Sequence, residues 1–147
     1  MPRILVTGMS GAGKSSLLAE LSRRGHVTVD TDDGGYVLPD GTWDEARMGR
    51  LLSAHTDVVV AGTVENQGMF YDRFAHVVLL TAPLEILLER VTHRTTNPYG
   101  RTAEQQDEIR RYVTEVEPLL RRGATVELDG RRPLGDLADV VEGLMAG

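Results

Sequence analysis

Short runs of β-branched and aliphatic residues alternate with helix-period segments along the whole chain. Five runs predict β-strands, at residues 4–7, 27–29, 58–61, 77–80 and 125–128, and the middle runs are almost entirely apolar. Such runs are typical of strands that are covered on both faces. Because strands that alternate with helices form parallel sheets with crossover connections, the pattern predicts an α/β fold around a parallel sheet.

The segments between the strands carry apolar residues at the spacing of one helix face. The predicted stripes are Leu17, Leu18 and Leu21; Met48, Leu51 and Leu52; Leu84, Leu87, Leu88 and Val91; Ile109, Tyr112, Val113, Val116 and Leu120; and Leu134, Leu137, Ala138, Val141, Leu144 and Met145. Pro118 should kink or end the fourth helix, because proline lacks a backbone donor. Pro133 stands where a first helical turn tolerates proline. The length predicts a single domain, residues 1–147.

Composition and charge narrow the class of protein. Hydrophobic residues make up 41% of the chain and charged residues 26%, which is ordinary for a globular protein. No apolar run approaches the roughly 20 residues of a membrane helix, and the N-terminus lacks the features of a secretory signal. We therefore expect a cytoplasmic protein with no membrane partner. The net charge of −6 argues against nucleic acid as a partner, and a monomer and a homodimer both stay open.

One segment matches the phosphate-binding pattern G-x-x-x-x-G-K-S/T at every fixed position: Gly8-Met9-Ser10-Gly11-Ala12-Gly13-Lys14-Ser15. It lies between a predicted strand and a predicted helix, whose N-terminus adds about half a positive charge. Lys14 should reach the β- and γ-phosphates, and the Ser15 hydroxyl should ligate Mg²⁺. We expect ATP and Mg²⁺ as cofactors, with the nucleotide held by Gly8, Ser10, Gly11, Ala12, Gly13, Lys14, Ser15 and Ser16.

Lys14 is the only lysine of the chain, which has fifteen arginines. A compact ammonium fits inside a closed phosphate-binding loop, whereas a planar guanidinium is larger and is shaped for bidentate pairing. Elsewhere the chain uses arginine for positive charge. The use of lysine at this one position therefore favours a phosphate-binding role over a glycine-rich turn.

Carboxylates follow the second predicted strand, at Asp30, Asp32 and Asp33. The carboxyl ends of the strands open into the ligand crevice of an α/β sheet. Strand alternation would place Asp30 and Asp32 on one side and Asp33 on the other, so the first pair is predicted to face the metal and the acceptor. An Asp-rich turn is the alternative interpretation.

The P-loop, Asp30-Thr31-Asp32 and an Arg-rich segment after the fourth strand together resemble the small kinases of the adenylate, shikimate and gluconate kinase group. The resemblance covers almost the whole chain. It implies a three-layer α/β/α P-loop NTPase fold with a five-stranded parallel sheet of order 2-3-1-4-5, a lid at about residues 92–104, and transfer of the ATP γ-phosphoryl group to a small acceptor. As in shikimate kinases, Asp30 would help to hold Mg²⁺ through water and Asp32 would bind the acceptor hydroxyl.

The resemblance also implies roles for several arginines. Arg90 and Arg94 would contact phosphate from the lid region, with Arg94 stabilising the transition state, while Arg101 would cover the nucleotide. The loop that contains Arg131 and Pro133 corresponds to the one that packs around adenine in these kinases. A preference for adenine over guanine rests on this family analogy alone.

The segment after the third strand departs from the family pattern. Ala61 stands where several P-loop enzymes have a metal-binding Asp, and the segment lacks the triple glycine of shikimate kinases and the Arg of nucleoside monophosphate kinases. Gly62, Glu65 and Asn66 are predicted to contact the acceptor, in a loop suited to hydroxyls, amines or a nucleobase edge. Arg47 is a further candidate for contact with the acceptor, because a guanidinium group would bind a carboxylate or phosphate there. The alternative is that Arg47 lies on a solvated helix face.

The leading hypothesis is therefore an ATP-dependent kinase of a small hydroxylated metabolite, with Asp32 positioning or deprotonating the acceptor. A nucleoside or nucleotide kinase of the same fold is one alternative. A nucleotide-binding regulator or slow ATPase without an acceptor is another. The sequence leaves open which of Asp30, Asp32 and Glu65 acts as the base.

Overall fold

A five-stranded parallel sheet forms the centre of the protein, whose computed structural model describes residues 2–94 and 98–146. The strands are β1 (Arg3–Gly8), β2 (Thr28–Asp30), β3 (Val58–Ala61), β4 (His76–Thr81) and β5 (Val126–Asp129). Their order across the sheet is β2-β3-β1-β4-β5, and every neighbouring pair is parallel. The predicted fold class and strand order are confirmed, and each strand lies within one residue of its predicted bounds.

The described part of the chain has six α-helices: α1 (Lys14–Arg23), α2 (Glu45–Ala54), α3 (Leu84–His93), α4 (Ala103–Glu115), α5 (Glu117–Gly123) and α6 (Leu134–Ala146). The first five lie between strands, and α6 follows β5. A 3₁₀ helix, Gln67–Arg73, lies where the sequence predicts a loop. The predicted helix around Pro118 is divided into α4 and α5, because Pro118 has no amide hydrogen with which to continue α4. None of the described helices has the length and apolar character to cross a membrane.

Two apolar clusters cover the two faces of the sheet. Ile4 and Val6 of β1 belong to a cluster with the buried residues of α1 and α6, whereas Leu5 belongs to a cluster with Trp43 and α2. Successive side chains of a strand point to opposite faces, so these clusters lie on opposite sides of the sheet. The carboxyl ends of the strands are left as the edge where polar loops meet.

A buried tryptophan ties the loop before α2 to the end of β3. Trp43 is fully buried, its Nε1 donates to Thr31 Oγ1 at 3.0 Å, and Thr31 Oγ1 donates to the carbonyl of Ala61 at 2.8 Å. The side-chain amide of Asn66 makes two hydrogen bonds to the backbone of Trp43. Gly62 packs so closely here that a Cβ atom would overlap Thr31 Oγ1. The acidic turn after β2 and the loop after β3 are therefore held together.

Replacement of Gly62 should test this anchor. We expect Gly62→Ala to lower the free energy of unfolding by about 1–3 kcal/mol, because its Cβ must displace Thr31 or Trp43. The control is Gly143→Ala in α6, where a Cβ would meet no described atom within 4 Å. That change should raise stability by about 0.5–1 kcal/mol, since alanine favours the helix interior. Urea denaturation measures both, and equal stability of Gly62→Ala and the wild type would contradict the close packing.

Candidate functional site

The predicted P-loop leaves the carboxyl end of β1 and enters the N-terminus of α1. Gly8 has a φ of +154°, and a Cβ atom there would overlap the carbonyl oxygen of Leu80 in β4. Gly13 is the N-cap of α1 and adopts a left-handed conformation with a φ of +108°. Both positions require glycine, because a side chain would be strained or would have no space. The amide of Ala12 donates to the carbonyl of Met9 at 3.1 Å and closes the loop.

The N-terminus of α1 is suited to an anion. In the described part of the chain no side chain caps this helix, and its first turn, which contains Ser15 and Ser16, has no acidic residue. The first amide groups of a helix have no partner within it. The helix dipole adds about half a positive charge at the same place. A phosphate group is the kind of ligand that would satisfy both.

Lys14 holds its ammonium group inside the loop. Its Nζ donates to the carbonyl oxygens of Gly8 and Met9, the second at 3.3 Å. Burial lowers the pKa of Lys14 to about 8, although the nearby charges of Asp32 and Asp30 act in the opposite direction. A partly desolvated cation of this kind gains most from an anionic ligand that enters the loop.

A chain of hydrogen bonds lies beneath the P-loop. Gln67 Nε2 donates to Thr7 Oγ1 at 3.1 Å, and Thr7 Oγ1 lies 3.0 Å from Thr63 Oγ1. Thr63 Oγ1 donates to the carbonyl of Gly8 at 2.7 Å and accepts from the Gly8 amide at 3.1 Å. Because Thr63 gives its one hydrogen to Gly8, Thr7 is the donor to Thr63. These hydrogen bonds end on the Gly8 carbonyl, which also accepts from Lys14, so they help to position the Lys14 side chain.

The acidic turn meets the P-loop through Ser15. Ser15 Oγ donates to Asp30 Oδ2 at 2.9 Å, while Asp30 Oδ1 accepts from the Asp32 amide at 3.1 Å. The prediction that strand alternation puts Asp30 and Asp32 on one side and Asp33 on the other is wrong. β2 ends at Asp30, and both Asp32 and Asp33 lie in the turn that follows. The turn itself directs Asp32 to the same side as Lys14, where both line one cleft.

The oxygens of Ser15 and Asp30 fit Mg²⁺, which prefers a few hard oxygen ligands and keeps water or phosphate oxygens in its other positions. Ala61 has no side-chain oxygen, and its carbonyl already accepts from Thr31. Among residues 2–94 and 98–146 no group of three or more His, Asp or Glu side chains is arranged to hold a metal ion. The protein would therefore supply few ligands, as expected for a metal that is bound together with phosphates.

A cleft of about 700 Å³ opens beside the P-loop. Gly8, Ser10 and Lys14 line it from the P-loop, and Asp32 and Glu65 line it from the loops after β2 and β3. A cleft of this size accommodates a small molecule. The structure thus brings five of the predicted site residues together at the carboxyl edge of the sheet.

The carboxylate of Asp32 has an altered affinity for protons. Burial raises its pKa above the usual value, and the neighbouring charge of Asp30 adds to this, whereas Lys14 opposes it. A carboxylate with a raised pKa is a stronger base towards a hydroxyl group. Its place in the cleft and this environment are consistent with the role that the sequence analysis gives to Asp32.

Arg90 joins the P-loop to the loop after β5. Its Nη1 donates to the carbonyl of Gly11 at 3.1 Å, and its Nη2 donates to the carbonyl of Gly130 at 2.9 Å. Gly130 packs against the carbonyl of Ala12 so closely that a Cβ atom would overlap it. Arg90 is therefore held next to the P-loop, and its predicted contact with phosphate stays a prediction.

The predicted lid is only partly described. Arg94 follows α3 directly, and its Nη2 donates to the carbonyl of Tyr99 at 2.8 Å. Residues 95–97 of the predicted lid, 92–104, lie outside the described residues. Thr102 caps α4 together with Gln105, so the last two residues of the predicted lid, 103 and 104, lie in this helix. The role of Arg94 in catalysis stays a prediction.

Other predicted site residues have their side chains engaged elsewhere. Arg47 is exposed on α2, and its guanidinium lies 4.8 Å from the centre of the Tyr36 ring. Asn66 is bound to the backbone of Trp43, and Gly62 is buried behind the same anchor. These three are not among the described residues that line the cleft, so their predicted contacts with an acceptor stay predictions.

The residues predicted to surround the base lie at the end of β5. Arg131 pairs with Asp129 at 2.7 Å, beside a separate cavity of about 480 Å³. Pro133 is exposed just before α6, and its carbonyl accepts from the amide of Asp136 at 3.0 Å. The loop that carries them touches the P-loop through Gly130. Contact of Arg131 or Pro133 with a nucleotide base stays a prediction.

Sequence reasoning missed the residues that support and enclose the cleft. Thr63 was assigned no role, yet a polar residue just after a central strand was a usable signal. The wall formed by Tyr71, Tyr112, Val116, Leu119 and Leu120 depends on the 3₁₀ helix and on the break between α4 and α5. No local pattern indicates which way that break turns the chain.

Comparison with known proteins places the chain among P-loop folds. The sequence model of the AAA domain family matches residues 4–111. The structure is similar to shikimate kinase from Acinetobacter baumannii in complex with shikimate, with 22% identity and a TM-score of 0.71 over 99% of this chain and 93% of that chain. Shikimate kinase from Bacteroides thetaiotaomicron gives 17% identity and a TM-score of 0.73, with 99% of both chains covered.

A gluconokinase from Sinorhizobium meliloti is also similar, with 20% identity and a TM-score of 0.67 over 99% of this chain and 91% of that chain. A comparison with curated protein sequences gives no match. These likenesses confirm the resemblance to small P-loop kinases at the level of the fold. They carry no residue of the site from one protein to another.

The environment of Lys14 predicts how its removal affects stability. Folding lowers the pKa of this ammonium to about 8 from 10.5, so the charged form is disfavoured in the folded chain. At pH 7, without ligand, we expect Lys14→Met to be at least as stable as the wild type. The stability advantage of Lys14→Met over the wild type should shrink as the pH rises from about 8 to 10.5. In this range Lys14 of the wild type loses its proton in the folded state but keeps it in the unfolded state.

Urea denaturation across this pH range measures the effect. The control is Arg110→Met on the exposed side of α4, where the charge pairs with Asp107 in water. That substitution should leave the pH dependence of stability as it is in the wild type. A Lys14→Met variant that is less stable than the wild type at pH 7 would contradict the desolvated state of the ammonium.

Proposed function

We propose that this chain, which belongs to the AAA domain family, is a kinase that transfers the γ-phosphoryl group of Mg-ATP to a hydroxyl group of a small molecule. One observation carries the proposal: Lys14 of the P-loop and Asp32 of the acidic turn line the same cleft of about 700 Å³. A phosphate-binding loop alone fits any nucleotide-binding protein. A carboxylate across a small-molecule cleft from that loop favours transfer to an acceptor over binding alone.

The residues around the P-loop would hold the triphosphate. The backbone of residues 8–15 and the N-terminus of α1 would bind phosphate oxygens, and Lys14 would turn its ammonium from the carbonyl of Gly8 to the β- and γ-phosphates. Thr63 would keep that carbonyl in place through its two hydrogen bonds to Gly8. The loop after β5, which Arg90 ties to the P-loop, would lie near the base.

Asp32 would orient the acceptor hydroxyl and take its proton. In the transfer, the acceptor oxygen forms a bond to the γ-phosphorus, the bond between that phosphorus and the bridging oxygen of ADP breaks, and the hydroxyl proton passes to the Asp32 carboxylate. Phosphoryl transfer depends mainly on position and on positive charge near the phosphoryl oxygens. Lys14 supplies that charge from the P-loop, and Arg94 would add to it from the predicted lid.

Ser15 and Asp30 would hold Mg²⁺ together with phosphate oxygens, Asp30 directly or through water. The ion would neutralise charge on the β- and γ-phosphates. Ser15 Oγ donates to Asp30 Oδ2, so the two oxygens already lie side by side. To bind the ion they would need only to release this hydrogen bond. Asp30 would thereby be a metal-binding group, and of the two carboxylates that line the cleft we assign the role of base to Asp32, whose pKa is raised.

A phosphotransfer screen tests the class of reaction. Purified protein with Mg-ATP is offered sugar acids, shikimate-like polyols, nucleosides, nucleotides and aminoglycosides, with Lys14→Met as the blank. We expect at least one compound to be phosphorylated by the native chain alone. Slow ADP release at the same rate with every compound would instead favour a nucleotide-binding regulator or an ATPase without an acceptor.

Replacement of Asp32 tests its role in that reaction. We expect Asp32→Asn to lower kcat by about 10²- to 10⁴-fold, because the amide cannot take the proton, while the Kd for Mg-ATP changes little. The matched control is Asp33→Asn, since Asp33 is exposed in the same turn and is not among the described cleft residues. Undiminished transfer by Asp32→Asn would remove Asp32 from the mechanism.

A further inference from the structure

The charges of the cleft are unusual for a site that would accept an anion. Among the described residues that line it, Lys14 is the one cation, and Asp32 and Glu65 are the anions. The Lys14 ammonium points to the carbonyls of Gly8 and Met9, so its charge serves the phosphate loop. The charge that remains on the acceptor side is that of the two carboxylates.

Two arginines that the sequence predicts as anion contacts are engaged elsewhere. Arg47 lies over the Tyr36 ring, and Arg90 donates to the backbone carbonyls of Gly11 and Gly130. Neither is among the described residues of the cleft. Carboxylate and phosphate groups are usually recognised by a bidentate arginine. An acceptor with such a group would face two carboxylates and the triphosphate, and Lys14 is the one cation among the described residues that line the cleft. Arg94, whose charge helps to lower the pKa of Lys14, would serve the transferred phosphoryl group from the predicted lid.

One part of the cleft lining is apolar. It includes Tyr71, Tyr112 and Leu119, of which Tyr112 is 38% exposed and Leu119 is 57% exposed. Arg111 lies over the Tyr112 ring, 5.6 Å from its centre, and is not among the described cleft residues. Exposed apolar side chains that line a concave site bind the apolar part of a ligand. The wall therefore matches a ring or an alkyl group.

We propose that the acceptor is a hydroxylated amine with an apolar or aromatic body. Its hydroxyl would lie at Asp32, its ammonium group at Glu65, and its apolar body against Tyr112 and Leu119. This inference rests on the proposed kinase function and adds a substrate class to it. The ammonium group pairs with the carboxylate that phosphoryl transfer does not use, so each charged group of the cleft has one partner.

Matched sets of acceptors test the class. One set is phenylethanolamine, alpha-methylbenzyl alcohol and mandelate, which share a phenyl ring and a secondary hydroxyl group and differ in an aminomethyl, a methyl or a carboxylate group. The second set is glucosamine, glucose and glucuronate. With Mg-ATP and the wild-type chain, the amine should have the highest kcat/KM in each set. Phenylethanolamine should exceed glucosamine, because its ring fits the apolar wall.

Substitution of Glu65 tests whether this carboxylate selects acceptors by the charge that they carry. We expect Glu65→Lys to lower kcat/KM for phenylethanolamine by about tenfold, mainly through KM, and to raise it for mandelate. Glu65→Gln should have an effect of about fivefold in the same direction. The KM for ATP should not change. The control is Asp72→Lys, which alters charge equally at an exposed position of the 3₁₀ helix away from the described cleft residues and should leave selectivity unchanged.

The outcomes separate this inference from the proposed function. Preference for the carboxylate, or equal rates within both sets while some acceptor is phosphorylated, would overturn the amine assignment and leave the kinase in place. An unchanged preference in Glu65→Lys would do the same. If Mg-ATP binds but none of these compounds, nor shikimate, gluconate, nucleosides or nucleotides, is phosphorylated, the kinase function itself fails.

Discussion

The function proposed for this chain depends on the placement of one ammonium group inside a closed loop of backbone. The Lys14 side chain reaches back to the carbonyls of Gly8 and Met9, and burial in that loop lowers its pKa to about 8. The loop closes because Gly8 and Gly13 adopt conformations that other residues avoid. Thr63, Thr7 and Gln67 then fix the Gly8 carbonyl from below through successive hydrogen bonds. The strain of holding a cation in this place is what an anionic ligand would relieve.

The cleft beside that loop sets this chain apart from what its fold alone would indicate. Shikimate kinase and gluconokinase structures are similar to it over 91–99% of their own chains, at 17–22% identity. Its own cleft nevertheless combines two carboxylates with a wall of tyrosine and leucine side chains. Fold and site therefore carry different information: the fold indicates how phosphate is bound, and the cleft indicates what is placed next to it.

Much of the fold followed from local patterns. Each strand was predicted within one residue, because buried parallel strands read as short apolar runs between turns. The P-loop was predicted in full, since its glycines and its lysine act through the backbone of a single segment. The position of Asp32 was predicted for the wrong reason. β2 ends at Asp30, one residue beyond the predicted end, and Asp32 lies in the turn that follows. A turn places side chains by its hydrogen bonds and not by alternation.

The supporting and enclosing residues were beyond local patterns. Arg90 is held by carbonyls from two loops that are far apart in the chain, and Asn66 is held by the backbone of Trp43. The apolar wall depends on the direction in which α5 leaves α4 after the break at Val116. Each of these features arises from contacts between distant segments, which spacing along a sequence does not encode.

Isothermal titration calorimetry of the ligand-free protein with Mg-ATP measures whether the P-loop binds a triphosphate. We expect saturable binding of one nucleotide per chain, with weaker binding of AMP, which lacks the phosphates that Lys14 would meet. Absence of saturable heat with both Mg-ATP and Mg-GTP, for a protein shown to be folded by circular dichroism, would contradict a phosphate-binding role for the loop.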